Sequence, residues 1–198
     1  INRSHGAKAI FKSETGDDIE IFTTRPDTLF GATYMVLAPE RKLVSKLTTP
    51  EQKEAIDSYI KESAKISEID RLSTDKEKTG VFTGSYATNP VNGERIPIWI
   101  GDYVLASYGT GAIMCVPAHD TRDFAFAKKF GLPIVEVVSP DGNPHELSEA
   151  FTESGIMINS GEFTGKNSED FKKIITDWLK ENGKGDQDIN YKMRDWLI

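Results

Sequence analysis

The sequence predicts a β-rich α+β fold, a closed β-barrel core decorated with peripheral helices. Short apolar or alternating runs recur at 7–12, 19–24, 34–38, 81–86, 95–100, 112–116 and 134–138, with the length and residue types of strands. Only a few helical stretches interrupt them, in an irregular order that does not fit repeated βαβ units. At 198 residues and 38% hydrophobic content, the chain suffices for one domain, 1–198, with a substantial core.

Each element has its own signal. Residues 7–12 and 19–24 flank the turn cluster Thr15-Gly16-Asp17-Asp18 and read as a hairpin. The second strand delivers the chain to Thr23, Thr24 and Arg25. Pro26-Asp27 then signals a turn, and a residue before proline favours extended geometry. A third strand at 34–38 leads into a short helix at 39–45. The next helix, 50–65, has proline in its first turn, Glu51 and Glu54 near its start, and a stripe of Ala55, Ile56, Tyr59 and Ile60. Residues 67–79 are polar, a loop or short surface helix. Asn92-Gly93 offers a hairpin turn between strands 81–86 and 95–100.

Gly109 and Gly111 then permit a tight turn before the buried strand 112–116, which Pro117 ends. Asp120 is a good helix N-cap with Asp123 three residues on, and Phe124, Phe126, Ala127 and Phe130 follow at helical spacing as core. Gly131 and Pro133 close that helix. A β-branched strand at 134–138, a long turn at 139–144, a strand at 156–159 and an amphipathic helix at 168–181, stopped by Gly183 and Gly185, complete the chain.

Composition limits the chemistry. No apolar run approaches the roughly 20 residues of a membrane span, and the first residues lack the pattern of a signal peptide. The single cysteine, Cys115, excludes an internal disulfide and a cysteine-rich zinc site. Its apolar strand predicts a buried, inert thiol in a reducing, cytoplasmic compartment. His5, His119 and His145 are dispersed, so no metal or cofactor is expected. A net charge of −7 argues against a free-standing nucleic-acid binder, yet leaves room for a few terminal nucleotides presented by another part of the molecule. The scattered lysines read as solvated helix faces.

The strand–loop–helix unit around 112–130 gathers His119, Asp120, Arg122 and Asp123 where the loop enters the helix, a common place for chemistry. On its residues alone, Asp123 completes a capping box with Asp120, satisfying helix N–H groups. A His119-Asp120 pair formally evokes metal phosphohydrolases, but those are helical and His119 follows a strand.

Two segments carry a specific likeness. Thr23-Thr24-Arg25-Pro26-Asp27-Thr28-Leu29-Phe30-Gly31, with Tyr108-Gly109-Thr110-Gly111-Ala112-Ile113-Met114 and the following Val116-Pro117-Ala118-His119-Asp120 and Arg122-Asp123, resembles the editing domain of bacterial-type leucyl-tRNA synthetase. The likeness runs from 3–7 to 193–196. Isoleucyl enzymes carry a tryptophan in the threonine loop, and valyl enzymes diverge after the glycines. The resemblance implies the same barrel, inserted into a larger synthetase, with both ends of this chain cut and lying near one another.

It further implies hydrolysis of isoleucine, methionine or norvaline esters mischarged on leucine tRNA, with the tRNA 3′ end and the parent synthetase as partners. No cofactor is expected here; ATP and magnesium would serve aminoacylation elsewhere in the parent. Asp123, Thr24 and Arg25 become the catalytic set, with Asp123 on the substrate's α-ammonium and Arg25 at the tRNA end. Thr23, Thr28, Tyr108, Met114, Val116, His119, Asp120 and Arg122 become substrate-binding, with Thr28 opposing leucine and Asp120 chiefly the helix cap. Ordinary turn and barrel-core roles remain the other readings of the threonines, Met114 and Val116. A valyl- or isoleucyl-type domain and a non-catalytic tRNA-docking insertion are the alternatives.

Overall fold

The computed structural model describes residues 3–191; the likeness at 193–196, with Trp196, lies outside them. A hairpin opens the fold. Ser13 Oγ accepts the Asp17 N–H at 3.1 Å and Gly16 turns at φ +85°, so β1 (Arg3–Ser13) folds back onto β2 (Asp18–Thr23). The pairing sets Ala7 against Thr23 and Lys12 against Asp18, and it puts Ala7, Ala9, Phe11, Ile19 and Ile21 on one fully buried face.

The other strands are β3 (Tyr34–Leu37), β4 (Val81–Thr88), β5 (Arg95–Ile100), β6 (Ala112–Cys115), the short pair β7 (Val138–Ser139) and β8 (Ile156–Met157), and β9 (Gly185–Tyr191). The helices are α1 (Leu43–Leu47), α2 (Lys53–Ala64), α3 (Glu68–Arg71), α4 (Thr121–Phe130) and α5 (Ser168–Glu181). The large sheet runs β2-β1-β4-β5-β3-β6, with β9 added to β1 off that path. β3 is parallel to β5 and antiparallel to β6, and it is buried on both faces. Met35 and Leu37 join a core with Phe11, Ile21, Ile98 and the Phe171, Ile175, Leu179 stripe of α5. Tyr34 and Val36 face a second core with Cys115, Phe126 and Ala127, where Tyr34 stacks on Phe126 at 5.3 Å. Each such large side chain contributes about 1.5–3 kcal/mol on burial.

The expected closed barrel is not formed. Its two ends, β2 and β6, share no hydrogen-bonded register among the described residues, so the domain is α+β around an open, mixed sheet. Local chemistry occupies both edges at this point. Beyond β2, the Arg25 N–H is bonded to Thr23 Oγ1 at 2.9 Å and the chain enters the 3₁₀ turn Pro26–Gly31. Beyond β6, the Val116 N–H is bonded to the Asp123 carboxylate at 2.9 Å.

Three smaller expectations also change. Residues 134–137 are not strand, because the N–H groups of Val137 and Val138 both go to His119 Nε2, at 2.9 and 3.0 Å. Phe124 is half-buried, outside both cores, under Lys128. Gly183 stops α5 at φ +67°, but Gly185 opens β9, whose polar run carries no alternation to announce it. β9 pairs Arg3 with Tyr191 and Ala9 with Gly185, so the first and last described residues run side by side.

Gly185 lets β9 approach this closely, since a Cβ there would collide with the Lys8 carbonyl oxygen. Gly185→Ala is expected to lower stability by about 1–3 kcal/mol, as overpacking does. Urea denaturation checks the loss, and hydrogen exchange should localise it to β9 and its β1 partners.

Candidate active site

The gap left by the open sheet holds a pocket. It has a volume of about 270 Å³ and lies between the end of β2 and its following turn on one side, and β6 with the start of α4 on the other. Thr23, Thr24, Arg25, Thr28, Met114, Val116, His119, Asp120 and Asp123 all line it, together with Phe22. Segments ninety residues apart in sequence therefore share one site. A hollow of about 300 Å³ between β1, β9 and α5 shares Thr24, but its Lys172 and Lys173 are already paired with Glu169 and Asp177.

Asp123 is the buried acid of the pocket, 6% exposed. Half of a capping box is present: Asp120 Oδ1 accepts the Asp123 N–H at 3.0 Å. The reciprocal half is absent, because Asp123 turns its carboxylate back to the Val116 N–H instead. Burial first, and the neighbouring Asp120 charge second, push Asp123 from 3.8 up to about 7; the Val116 hydrogen bond and Arg122 pull the other way. A carboxylate so placed gains when a cation arrives. Beneath it the Cys115 thiol is wholly buried and raised well above its usual range, so it is no nucleophile.

His119 is a structural bracket rather than a base. Its Nε2 accepts from Val137 and Val138, which places the proton on Nδ1 for donation to the Phe151 carbonyl at 2.8 Å. Burial lowers its pKa, keeping the ring neutral with both nitrogens occupied. The bracket ties the 134–152 segment to the pocket wall, reinforced by the Phe151 N–H to the Ala118 carbonyl.

On the opposite wall, Arg25 makes two parallel bonds to Asp27, Nε to Oδ1 at 3.1 Å and Nη2 to Oδ2 at 3.0 Å. Thr28 is buried, and its hydroxyl donates to the Arg25 carbonyl at 2.8 Å. With the hydroxyl tied down, the β-branched side chain has one rotamer, and its methyl is fixed.

Two anticipated residues lie elsewhere. Half-exposed Tyr108 and exposed Arg122 border a separate depression with Leu72, Tyr103, Leu105 and Ile113. Two residues at the site carry no functional signal of their own in the sequence: Asp27, beside Pro26, has the pattern of a turn, and Phe22 that of a strand. The cue for Asp27 was an acid two residues from an arginine across a proline. Among the described residues, no group of three or more histidine, cysteine or acidic side chains is placed to hold a metal, and no helix is long and apolar enough to cross a membrane.

The fold is that of an aminoacyl-tRNA synthetase domain. The crystal structure of an Agrobacterium radiobacter ternary complex of LeuRS, tRNA and LeuAMS superposes with a TM-score of 0.71 at 31% identity, over 96% of this chain and 20% of that one. The family model described as leucyl-tRNA synthetase, editing domain, matches residues 1–180, and the chain belongs to that family. Leucine–tRNA ligases of Dehalococcoides mccartyi and Synechococcus sp. are 53% and 56% identical over the whole chain. The chain spans about a quarter of the length of these relatives, 25% and 24%.

The raised pKa of Asp123 has a stability consequence. A folded-state value above the unfolded one means that ionisation costs stability: nothing is lost below about 3.8, and the full penalty is present above about 7. Asp123→Asn removes the charge and should raise stability by on the order of 2 kcal/mol at pH 8 while changing it little at pH 4. Thermal melts of both proteins across that range test the sign.

Proposed function

We propose that the chain performs post-transfer editing: it hydrolyses the ester joining a non-cognate amino acid to the 3′-terminal adenosine of leucine tRNA. It would act as an inserted domain of a cytoplasmic leucine–tRNA ligase. The observation that carries this reading is a buried carboxylate, Asp123, facing the same small pocket as Thr24, Arg25 and Thr28. Every aminoacyl ester brings an α-ammonium. Asp123 would bind it, and the ammonium would hold the acid ionised. Thr24 and Arg25 at the mouth would receive the terminal nucleotide.

Such clearance answers a known limit. A hydrophobic synthetic pocket separates side chains one methylene apart by only about 1–3 kcal/mol, a figure measured on synthetases in general and not obtained for this chain. Since His119 has both nitrogens engaged, the reading assigns no protein base. A water adds to the ester carbonyl, the bond from that carbon to the ribose oxygen breaks, and the water's proton passes by way of the vicinal ribose hydroxyl to the departing oxygen, while the enzyme supplies orientation. The domain itself uses no cofactor in this scheme. Isoleucine, methionine and norvaline esters are the substrates proposed.

Leucine must be spared although it is no larger than these. The immobilised branch of Thr28 would oppose its γ-branching. Thr28→Ala is expected to make the ligase hydrolyse leucyl-tRNA while largely keeping activity on isoleucyl-tRNA. Deacylation of both esters by wild type and variant decides this, and a variant that still spares leucyl-tRNA refutes the role.

The same assay tests the whole reading. Wild type should deacylate isoleucyl-tRNA and leave leucyl-tRNA intact, and inertness toward both would leave a docking insertion instead. Because Asp123 must be ionised, kcat/KM should fall as pH drops below about 7. Asp123→Ala should lose deacylation by at least about a hundredfold, as removal of a charged anchor in a dry site does.

A further inference from the structure

We propose that Asp27 is the positioning residue of the site: it locks the Arg25 guanidinium as a rigid, outward-facing donor for a phosphate of the bound polynucleotide end. This rests on the editing reading for its ligand, but its structural half stands alone.

Asp27 has no exposed side-chain surface, whereas Arg25 keeps 29% of its own. The two parallel bonds occupy the Nε–Nη2 edge of the guanidinium and both carboxylate oxygens. A third, longer bond runs from Nη1 to the Thr152 carbonyl at 3.4 Å. A guanidinium has five N–H donors, so one on each Nη remains to be offered at the pocket mouth. That pair of donors matches two oxygens of a phosphate.

The lock follows from burial. Arg25 is the cation paired with Asp27, and an acid out of water cannot be left alone without a large penalty. Arg25 therefore cannot swing out to follow a ligand. Arg122 is the contrast within the chain, 62% exposed with only a 3.9 Å contact to Asp120. Local geometry builds the lock: Pro26 starts the 3₁₀ turn, which brings Asp27 back beneath Arg25. The Thr152 bond adds a support from the segment that His119 brackets.

Three measurements test this. In the full-length ligase, Asp27→Asn should raise the KM for mischarged tRNA about tenfold with kcat nearly kept, and the Asp27→Asn/Arg25→Ala pair should be no worse than Arg25→Ala alone. In the 198-residue chain, the Arg25 Nε–H resonance should be protected from exchange in wild type and lose protection in Asp27→Asn. Arg25→Ala, which strands the buried acid, should melt lower than Asp27→Asn, which leaves an arginine free to reach water.

Additive kinetic losses, an unchanged Nε–H signal, or the reverse order of melting would each overturn the role of Asp27. If wild type fails to deacylate at all, the editing reading falls, while the resonance and the melts still decide whether Asp27 holds Arg25.

Discussion

The hydrogen bond from the Val116 N–H to the Asp123 carboxylate joins three things that would otherwise be separate. It ends β6, it orients the first turn of α4, and it buries an acid at the floor of the pocket. A hydrogen bond to a charged group contributes about 1.5–3 kcal/mol, and withdrawal of the carboxylate from water opposes it. The upward displacement of Asp123 to about 7 says that the withdrawal from water wins. The carboxylate is thus costly to ionise where it lies.

The same device recurs around the site: a buried polar side chain takes the place of a missing strand. His119 accepts two N–H groups of residues 137 and 138, and Asn89 donates to the Leu29 carbonyl at the end of the 3₁₀ turn. Buried backbone groups must be paired, and regular sheet is only one way to pair them. Side chains leave room where strands would fill it. The pocket exists because its walls are satisfied in this manner.

This explains what was legible in the sequence. The hairpin at Thr15–Asp18, the Asp120 cap and the Gly131 stop depend on neighbours within a few residues, and the chain spells them out. The pocket residues were legible because two unusual segments carry them. Closure of the barrel was not, since it depends on whether an N–H at Val116 meets a strand or a carboxylate. Residues 134–137 read as strand from their β-branched run, but their outcome was set by a histidine fifteen or more positions earlier. β9 is not legible in the sequence because partners, not its own polar residues, make it a strand. Asp27 looked like a turn residue because the proline beside it gave reason enough.

An open sheet ordinarily leaves two rows of unpaired backbone groups, which invite other chains to add themselves and aggregate. Here β2 and β6, the two ends of the strand order, both border the pocket. The added strand β9 carries Asp186, Gln187 and Asp188, a polar rim that discourages a further strand. Widening the recess would lay bare sheet edge, so its breadth is tied to the protection of β2 and β6.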